Sequence, residues 1–389
     1  GAVESDIGWG PNYALTDTSV AGYQALLDSD GNLKSKQYAA AGWHSGRGPY
    51  MPPVMFVNDI KRTDKQKGIF GELAIDLSDT VELTVGARWY DIAVDLEGAA
   101  NAGFTTGFLG GAEQRDQQRF GTNLSAAFNK PGVVTGNPFI DELNYPDKAE
   151  SDGVIGKATL SWNKSDDVMY YVTWSEGFRP GLLNRPAGQS TPDGSYTVRP
   201  VTDSDEVTNY EFGWKTVLQD GRLRFNGSVF MVDVSGLQTT IFDPSIANLF
   251  FSDNAADADI TGLEGDFIYY PNIEGLMISG AFSLLDTEIK KSLTTSDVVA
   301  GRDLAFAPGM QANVAARYEW GMSSGNLGHI QGQLIASDKS YSDIIEPNKA
   351  KQDSYSYANV RAGISNDGWV AEIYIDNITD ERAEISNNY

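Results

Sequence analysis

Two short motifs in this sequence contain residue types that could do chemistry. Gly321–Gly325 has the Gly-x-Ser-x-Gly spacing of a serine nucleophile, which needs a strand-to-helix turn and a downstream acid followed by a histidine. Only His329 follows, with no acid in between, so we interpret the motif as a turn between two strands. Asp28–Gly31 resembles part of a calcium loop, but Leu26 and Gln37 occupy its first and twelfth ligand positions, which favours a plain turn.

The composition restricts the chemistry further. The 389 residues include no Cys and two His, which excludes disulfides and thiolate nucleophiles and nearly excludes a multi-histidine metal centre. We find no catalytic constellation, so we expect neither an enzyme nor a bound cofactor or metal. The 29 Lys and Arg against 53 Asp and Glu leave a net charge of −24, which argues against nucleic acid as a partner. No stretch approaches 18 apolar residues, which excludes transmembrane helices.

The elements that position the polar side chains are predicted to be β-strands. In the segment 81–90, Val81, Leu83, Val85, Ala87 and Trp89 fall on one face, and Glu82, Thr84, Gly86, Arg88 and Tyr90 on the other. Each segment of this kind is long enough to cross a bilayer as a tilted strand, which takes about 9–11 residues. Twelve such segments lie at 57–77, 81–98, 150–163, 168–178, 205–217, 222–239, 257–270, 275–290, 308–320, 328–342, 352–365 and 368–378.

The connections between these segments alternate in length. Short, turn-rich connections alternate with long ones at 99–149, 179–204, 240–256, 291–307 and 343–351. Aromatic residues lie near both ends of the strands, at Trp162, Trp214, Tyr269, Tyr270, Trp320 and Trp369 beside short turns and at Trp89, Tyr90 and Trp174 beside long loops. These features predict an all-β, transmembrane, antiparallel up-and-down β-barrel, with periplasmic short turns and extracellular long loops. Strand-end aromatics also occur in soluble sandwiches, so a soluble or surface-exposed β-rich adhesin stays an alternative.

If the apolar faces contact lipid, the polar faces line a lumen. The residues expected there are Arg88, Asn209, Glu211, Lys215, Arg224, Glu264, Asp266 and Arg317. Carboxylates and cations on neighbouring strands can pair across the wall, so this set is either a charge-balanced solvated wall or a path for a substrate.

Five motifs in the same order resemble those of TonB-dependent outer-membrane receptors. The segment 170–181 ends in Ser-Glu-Gly-Phe-Arg-Pro-Gly, and 206–216 reads Glu-Val-Thr-Asn-Tyr-Glu-Phe-Gly-Trp-Lys-Thr. The remaining motifs are Phe70-Gly71-Glu72 with 85–90, Thr261–Gly265 and Asp376–Glu381. No motif is specific by itself, but together they cover residues 57–381.

The resemblance implies a barrel of about 22 strands with a plugged lumen. It also implies energised uptake of a scarce, bulky ligand across the outer membrane of a Gram-negative bacterium, among lipid and lipopolysaccharide. An iron–siderophore complex is the leading candidate, with cobalamin, haem and oligosaccharide open. The chain resembles strands 10 to 21 of such a larger barrel. The plug, the N-terminal box that contacts the TonB complex and the last strand have no counterpart in the resemblance. We therefore expect an extracellular loop region at 1–56 and a barrel segment at 57–389.

Ligand specificity is expected in the long loops, because a stacked aromatic ring plus a charge-assisted donor can hold a catecholate or a sugar. The candidates are Trp43, His44, Phe178, Arg179, Tyr196 and Arg199. For His44, a solvated loop histidine is the alternative. The rival function is a passive 12-strand porin, in which 57–77 and 368–378 pair with each other to close a complete cylinder. In an incomplete wall these two segments would instead be free edges.

Overall fold

The computed structural model describes residues 2–9, 56–102, 148–184, 199, 201–243, 247–294, 297–323 and 325–386. Nearly all of them lie in antiparallel strands. The strands are β1 (Ala2–Trp9), β2 (Phe56–Ser78), β3 (Val81–Ala102), β4 (Lys148–Ser165), β5 (Val168–Arg179), β6 (Asp205–Leu218), β7 (Leu223–Asp243), β8 (Ala247–Tyr269), β9 (Leu276–Ser292), β10 (Met310–Gly321), β11 (Leu327–Ser337), β12 (Ser340–Tyr341), β13 (Lys351–Gln352), β14 (Tyr355–Asn366) and β15 (Trp369–Ile375). A 3-10 helix spans Glu346–Asn348. In the described part of the chain, no helix has the length and apolar character needed to span a membrane.

One sheet contains thirteen of these strands, in the order β1 to β11, then β14 and β15. Every neighbouring pair in it is antiparallel, and β12 and β13 form a separate two-stranded sheet. Each of the twelve segments predicted from the sequence corresponds to a strand of the large sheet, so the predicted up-and-down fold class is confirmed. The strands form where predicted because their apolar residues recur with the period of two that a pleated strand requires.

Two local expectations differ from the structure. Residues 2–9, expected in a loop region at 1–56, form strand β1, which pairs with the start of β2 from Phe56 to Thr63. The intervening residues 10–55 lie outside the described part. The segment 240–256, expected to be a long loop, instead continues β7 and β8 as a ladder, with Thr240 opposite Ser252 and Ile241 opposite Phe251. Residues 239–243 and 247–252 are rich in Thr, Ile and Phe, which favour a pleated strand over a loop, and residues 244–246 lie outside the described part.

One face of the large sheet is apolar and exposed. It carries, among others, Leu73, Val85, Trp89, Leu160, Trp162, Val172, Tyr210, Phe212, Val229, Met231, Val314, Tyr318, Trp320, Ile330 and Leu334. Such a continuous apolar face is unfavourable in water, because soluble proteins rarely expose large apolar patches. It is the expected surface of a strand wall that contacts lipid hydrocarbon.

Two buried apolar clusters lie at the long-loop end of the sheet. The first consists of Tyr90, Ile92, Val94 and Ala149, with Ile155, Phe178, Leu183 and Val201 packed against it. The second consists of Ile241, Phe251, Ala255, Ala256, Ile289, Val298, Ile344 and Ile345. Both clusters join strand residues to residues of the long connections. The core of the described part therefore forms where these connections fold back onto the strands.

The sheet is open in the described part of the chain. Strands β1 and β15 stand at its two ends and are not paired to each other. Beyond Thr63, where pairing to β1 stops, residues Asp64–Ser78 have β3 as their described neighbour. Strand β15 is paired to β14. In the described part of the chain the closed twelve-strand cylinder of the porin interpretation is therefore not formed, and edges of the sheet are found at Gln66–Ser78 and β15. The expectation of a free edge over the whole of 57–77 is wrong for Val57–Thr63, which pairs with β1.

Candidate functional site

The polar face carries pairs of charged and polar side chains on neighbouring strands. The Tyr171 hydroxyl donates to Glu211 at 2.5 Å, and Arg224 lies 3.5 Å from Asp266. On β10, Arg317 pairs with its strand neighbour Glu319 at 2.8 Å. These contacts involve four of the residues predicted to line a lumen: Glu211, Arg224, Asp266 and Arg317. They match the charge-balanced interpretation of the wall, since two of the pairs join neighbouring strands and the third joins residues along one strand.

The register places the other predicted lumen residues on the same polar face. Asn209 lies two residues from Glu211 along β6, and Lys215 lies opposite Asn226, which itself hydrogen-bonds Asp266. Glu264 lies two residues before Asp266 along β8. Arg88 lies on β3 opposite Ile155 of β4. The eight residues are therefore spread along the wall from β3 to β10 rather than gathered into one site.

A further polar cluster on this face was not predicted. The His329 imidazole is buried and lies 2.9 Å from the Glu372 carboxylate, which also lies 3.6 Å from Arg361. His329 on β11 and Glu372 on β15 are both opposite Gly363 of the intervening β14. The missing side chain of Gly363 lets the imidazole reach across one strand. Sequence periodicity places each residue on the polar face but cannot reveal a contact between residues 43 positions apart.

At the long-loop end, Asp205 anchors the connection between β5 and β6. Its carboxylate is almost completely buried and accepts hydrogen bonds from the Arg179 backbone N–H at 3.0 Å and from Arg179 Nε at 2.7 Å. The Gln238 backbone N–H also donates to it, at 3.2 Å. Because a buried carboxylate needs such partners, Asp205 holds the end of β5, the start of β6 and β7 together.

Three buried amide side chains complete this anchor. Gln238 donates to the carbonyls of Pro180 at 3.0 Å and Asp203 at 2.9 Å. Asn254 donates to the carbonyls of Asp203 at 3.0 Å and Gly236 at 2.7 Å, and accepts from the Asp203 N–H at 2.8 Å. Asn184 links the same connection to β8 through the carbonyls of Arg199 and Ser252. Sequence reasoning missed these residues, because an amide side chain in a strand or a connection has no distinguishing spacing.

Beside this anchor lies an open cavity of about 630 Å³. Its lining residues are Arg199, Asp203, Ser204, Glu206, Ser235, Gly236, Asp253, Asn254, Leu293 and Thr294. They come from the β5–β6 connection, from β6, β7 and β8, and from the end of β9. Asn254 joins two parts of the lining through its hydrogen bonds to Asp203 and Gly236. The cavity is of the size that small-molecule sites usually have, about 300–1,000 Å³.

Three of the six predicted ligand residues, Phe178, Arg179 and Arg199, lie in the described part of the chain. Trp43, His44 and Tyr196 lie outside the described residues. Phe178 stacks on Tyr90 with ring centroids 3.6 Å apart and packs against the first apolar cluster. Arg179 is held by Asp205 and also donates to the Gln238 carbonyl at 3.0 Å. Arg199 borders the cavity, where it donates to Asp203 at 2.7 Å.

The part of the chain that the structure describes contains no cluster of metal-ligating side chains. No group of three or more His, Cys, Asp or Glu side chains there could hold an ion. The site offers hydrogen-bond donors and acceptors, several charges and an apolar edge at Leu293, which are the elements of a binding site.

Comparison with known proteins gives one family and several similar structures. A family model described as TonB dependent receptor-like, beta-barrel, matches residues 4–378. The ferric yersiniabactin uptake receptor FyuA from Yersinia pestis is similar with a TM-score of 0.61 and 14% identity, over 87% of this chain and 44% of that one. The siderophore receptor PiuA from Acinetobacter baumannii is similar with a TM-score of 0.59 and 17% identity, over 87% and 43%.

The ferric preacinetobactin receptor BauA from Acinetobacter baumannii is similar with a TM-score of 0.52 and 18% identity, over 87% of this chain and 42% of that one. At these identities the similarity shows the shared fold. The chain spans less than half the length of each of these three structures.

Proposed function

Because this chain belongs to the TonB-dependent receptor-like β-barrel family, we propose that it forms part of the wall of an outer-membrane receptor that imports a scarce, bulky ligand. An iron–siderophore complex is the first candidate, in line with the siderophore receptors that share its fold. The observation that carries the proposal is the two-faced sheet: an exposed apolar face and an ion-paired polar face, with a ligand-sized cavity at one end.

The direction of the wall in the membrane is part of this proposal. The short turns, such as Gln219–Gly221 and Asn366–Gly368, lie at one end of the sheet, and the anchored connections and the cavity lie at the other. In outer-membrane barrels the short turns are periplasmic and the long loops extracellular. The cavity then opens toward the cell exterior, where a ligand arrives. Lipid and lipopolysaccharide are the proposed neighbours of the apolar face.

The strand count supports a sector of a larger barrel. In an antiparallel sheet of thirteen strands, the first and last run in the same direction. Joining β1 directly to β15 would require a parallel pair, whereas bacterial outer-membrane barrels are antiparallel with an even number of strands. Closure therefore needs an odd number of further strands. The family resemblance, with about 22 strands in all, meets that condition.

The binding residues at the outer end are proposed as well. Arg199, at the edge of the cavity, is the member of the predicted ligand set whose described surroundings leave room for a ligand. Phe178 and Arg179 are proposed to support that end through their contacts with Tyr90 and Asp205. Trp43, His44 and Tyr196 stay predictions. The function is binding and gating, with TonB-derived energy driving release into the periplasm.

Uptake in iron-starved cells tests this function. The complete gene product that contains this chain is expressed in a strain that lacks its other ferric-chelate receptors, with and without a functional TonB complex. We expect radiolabelled ferric siderophore to accumulate only in cells that have both the expressed receptor and a functional TonB complex. Accumulation that is equally fast without TonB would support passive diffusion, and no accumulation of any ferric siderophore would contradict the proposed ligand class.

A further inference from the structure

An exposed aromatic residue at the long-loop end has a strained backbone. Phe306, in the connection between β9 and β10, has a φ of 53°, which lies in the left-handed region. The other non-glycine residues with positive φ in the described part of the chain are Gln219, Asp220, Asn377 and Asp380. These four are polar, and Asn and Asp tolerate this conformation through local hydrogen bonds, whereas a bulky aromatic residue is an outlier there.

The strain is maintained by contacts of the backbone around Phe306. Its own N–H donates to the Tyr341 carbonyl at 2.7 Å, and the Leu304 N–H donates to the Thr287 hydroxyl at 3.0 Å. Leu304 and Ala305 pack against the second apolar cluster, whereas Phe306, directly after them, is 51% exposed. The chain is therefore anchored up to Ala305, and about half of the Phe306 surface is left open.

The frame that holds Phe306 joins two connections of the chain. Val298 of the β9–β10 connection forms an antiparallel bridge with Ile345 of the connection between β11 and β14, and both residues are buried. The Glu346 N–H donates to the Asp297 carbonyl at 2.9 Å beside this bridge. Because buried residues of both connections fix this frame, the left-handed conformation of Phe306 is imposed by the fold.

The combination of strain and exposure indicates a functional contact. A strained backbone that leaves half of an aromatic ring exposed reduces stability on both counts, and such strain collects at ligand-contacting segments. The connection that contains Phe306 also supplies Leu293 and Thr294 to the lining of the long-loop cavity. The Thr294 hydroxyl oxygen is buried and has no hydrogen-bond partner among the described residues, which is an independent sign of a missing bound group.

We propose that Phe306 is a specificity residue for a ferric chelate with aromatic rings, such as a catecholate or a phenolate. A flat ring of the ligand stacks on the exposed part of the Phe306 ring, and this contact is selective because it needs a ring on each side. A chelate built from hydroxamates and aliphatic chains lacks the partner ring. The inference rests on the proposed function, which it deepens by giving the ligand an aromatic component.

Equilibrium binding to the complete purified protein tests the proposal, with quenching of tryptophan fluorescence as the signal. The probes are a ferric tris-catecholate and a ferric trihydroxamate without aromatic rings. Phe306→Ala should weaken binding of the tris-catecholate about three- to tenfold, which is the range that one aromatic pair contributes. The affinity for the trihydroxamate should stay within about twofold, because this chelate offers no ring to stack.

Two further substitutions separate stacking from packing. Phe306→Tyr keeps the ring and should retain the affinity for the tris-catecholate. Phe306→Gly removes the ring but suits the left-handed backbone, so it should weaken this chelate as Phe306→Ala does while the midpoint of thermal unfolding stays unchanged or rises. Tyr270→Ala is the matched control, because Tyr270 is 49% exposed at the short-turn end of the sheet and its loss should leave both affinities unchanged.

The outcomes separate this inference from the proposed function. If the tris-catecholate binds equally well with and without the Phe306 ring, or if only the trihydroxamate binds, the aromatic inference is wrong while siderophore binding stands. A lower unfolding midpoint of Phe306→Gly in lipid vesicles, with both affinities unchanged, would assign the ring to packing or lipid contact and overturn the inference. If neither chelate binds, the proposed siderophore function is itself contradicted.

Discussion

At the scale of single residues, the long-loop end depends on Asp205. Its buried carboxylate on β6 accepts hydrogen bonds from Arg179 of β5 and Gln238 of β7, so the contacts join three strands. Beside it, the Leu182 N–H donates to the Thr202 hydroxyl and the Thr202 N–H donates to the Leu182 carbonyl, which closes the connection on itself. The wall of the cavity is therefore held by polar contacts rather than by apolar packing alone.

Asp205→Asn should loosen this connection without unfolding the sheet. The amide nitrogen cannot accept the Arg179 hydrogen bonds, so we expect a local loss of about 1–3 kcal/mol. Hydrogen exchange at the Leu182 and Thr202 amides should accelerate about tenfold or more. Asp266→Asn is the control, because its exposed pair with Arg224 should contribute below about 1 kcal/mol. Equal exchange rates in the two variants would show that Asp205 is not the anchor.

A second residue-scale prediction concerns the glycine beneath His329. A Cβ at Gly363 would lie 2.6 Å from His329 Cε1 and 2.6 Å from the Ala371 carbonyl oxygen. Gly363→Ala should therefore displace the imidazole and destabilise the barrel by about 1–3 kcal/mol. Gly332→Ala, on neighbouring β11, meets nothing within 4 Å and should be tolerated. Thermal unfolding followed by the loss of heat-modifiable migration measures both, and identical midpoints would contradict the predicted clash.

At the scale of one strand, β10 shows how alternation assigns each face. Val314 lies on the exposed apolar face, and its neighbour Asn313 lies on the face that also carries Arg317. Val314→Lys should destabilise the inserted wall by about 2–4 kcal/mol, because the charge would have to enter hydrocarbon, whereas Asn313→Lys should be tolerated. Denaturant titration of the protein folded into lipid vesicles measures this difference. Equal tolerance on the two faces would contradict contact between the apolar face and lipid.

At the scale of the whole molecule, the two ends of the sheet should face opposite compartments. Asp367 lies in a short turn between β14 and β15, and Asp303 lies exposed in the connection between β9 and β10. Because the chain has no cysteine, single substitutions Asp367→Cys and Asp303→Cys give clean labelling sites. A membrane-impermeant thiol reagent added to intact cells should label position 303 and not 367. The opposite pattern would reverse the proposed orientation.

The two edges provide a second test at this scale. Unpaired N–H groups in hydrocarbon cost several kcal/mol each, so the edges at Gln66–Ser78 and Trp369–Ile375 should be covered in the membrane. In the complete protein we expect slow amide exchange at both edges, similar to that of the interior strand β6. Fast exchange there, with slow exchange in β6, would contradict a sector of a larger wall.

The sequence by itself was enough to predict the strands and the face that each residue occupies. In a strand this information is local: alternation over about ten residues assigns faces, and an Asp-Gly or Asn-Asp-Gly step marks a turn. The pairing order followed as well, because short turns force consecutive strands to be neighbours. The sequence did not predict strand β1, nor the continuation of β7 and β8 through 240–256.

The tertiary structure decided which polar residues meet and where a cavity forms. Asp205, Gln238 and Asn254 come from three strands and are brought together by the backbone path of a long connection. Such paths depend on contacts between distant residues, including the packing of Leu183 and Val201 against the apolar cluster that contains Tyr90, which no local period encodes. The face of the sheet that each side chain occupies follows from the geometry of the strand backbone, which repeats every two residues. The site follows from packing, which depends on the whole chain at once.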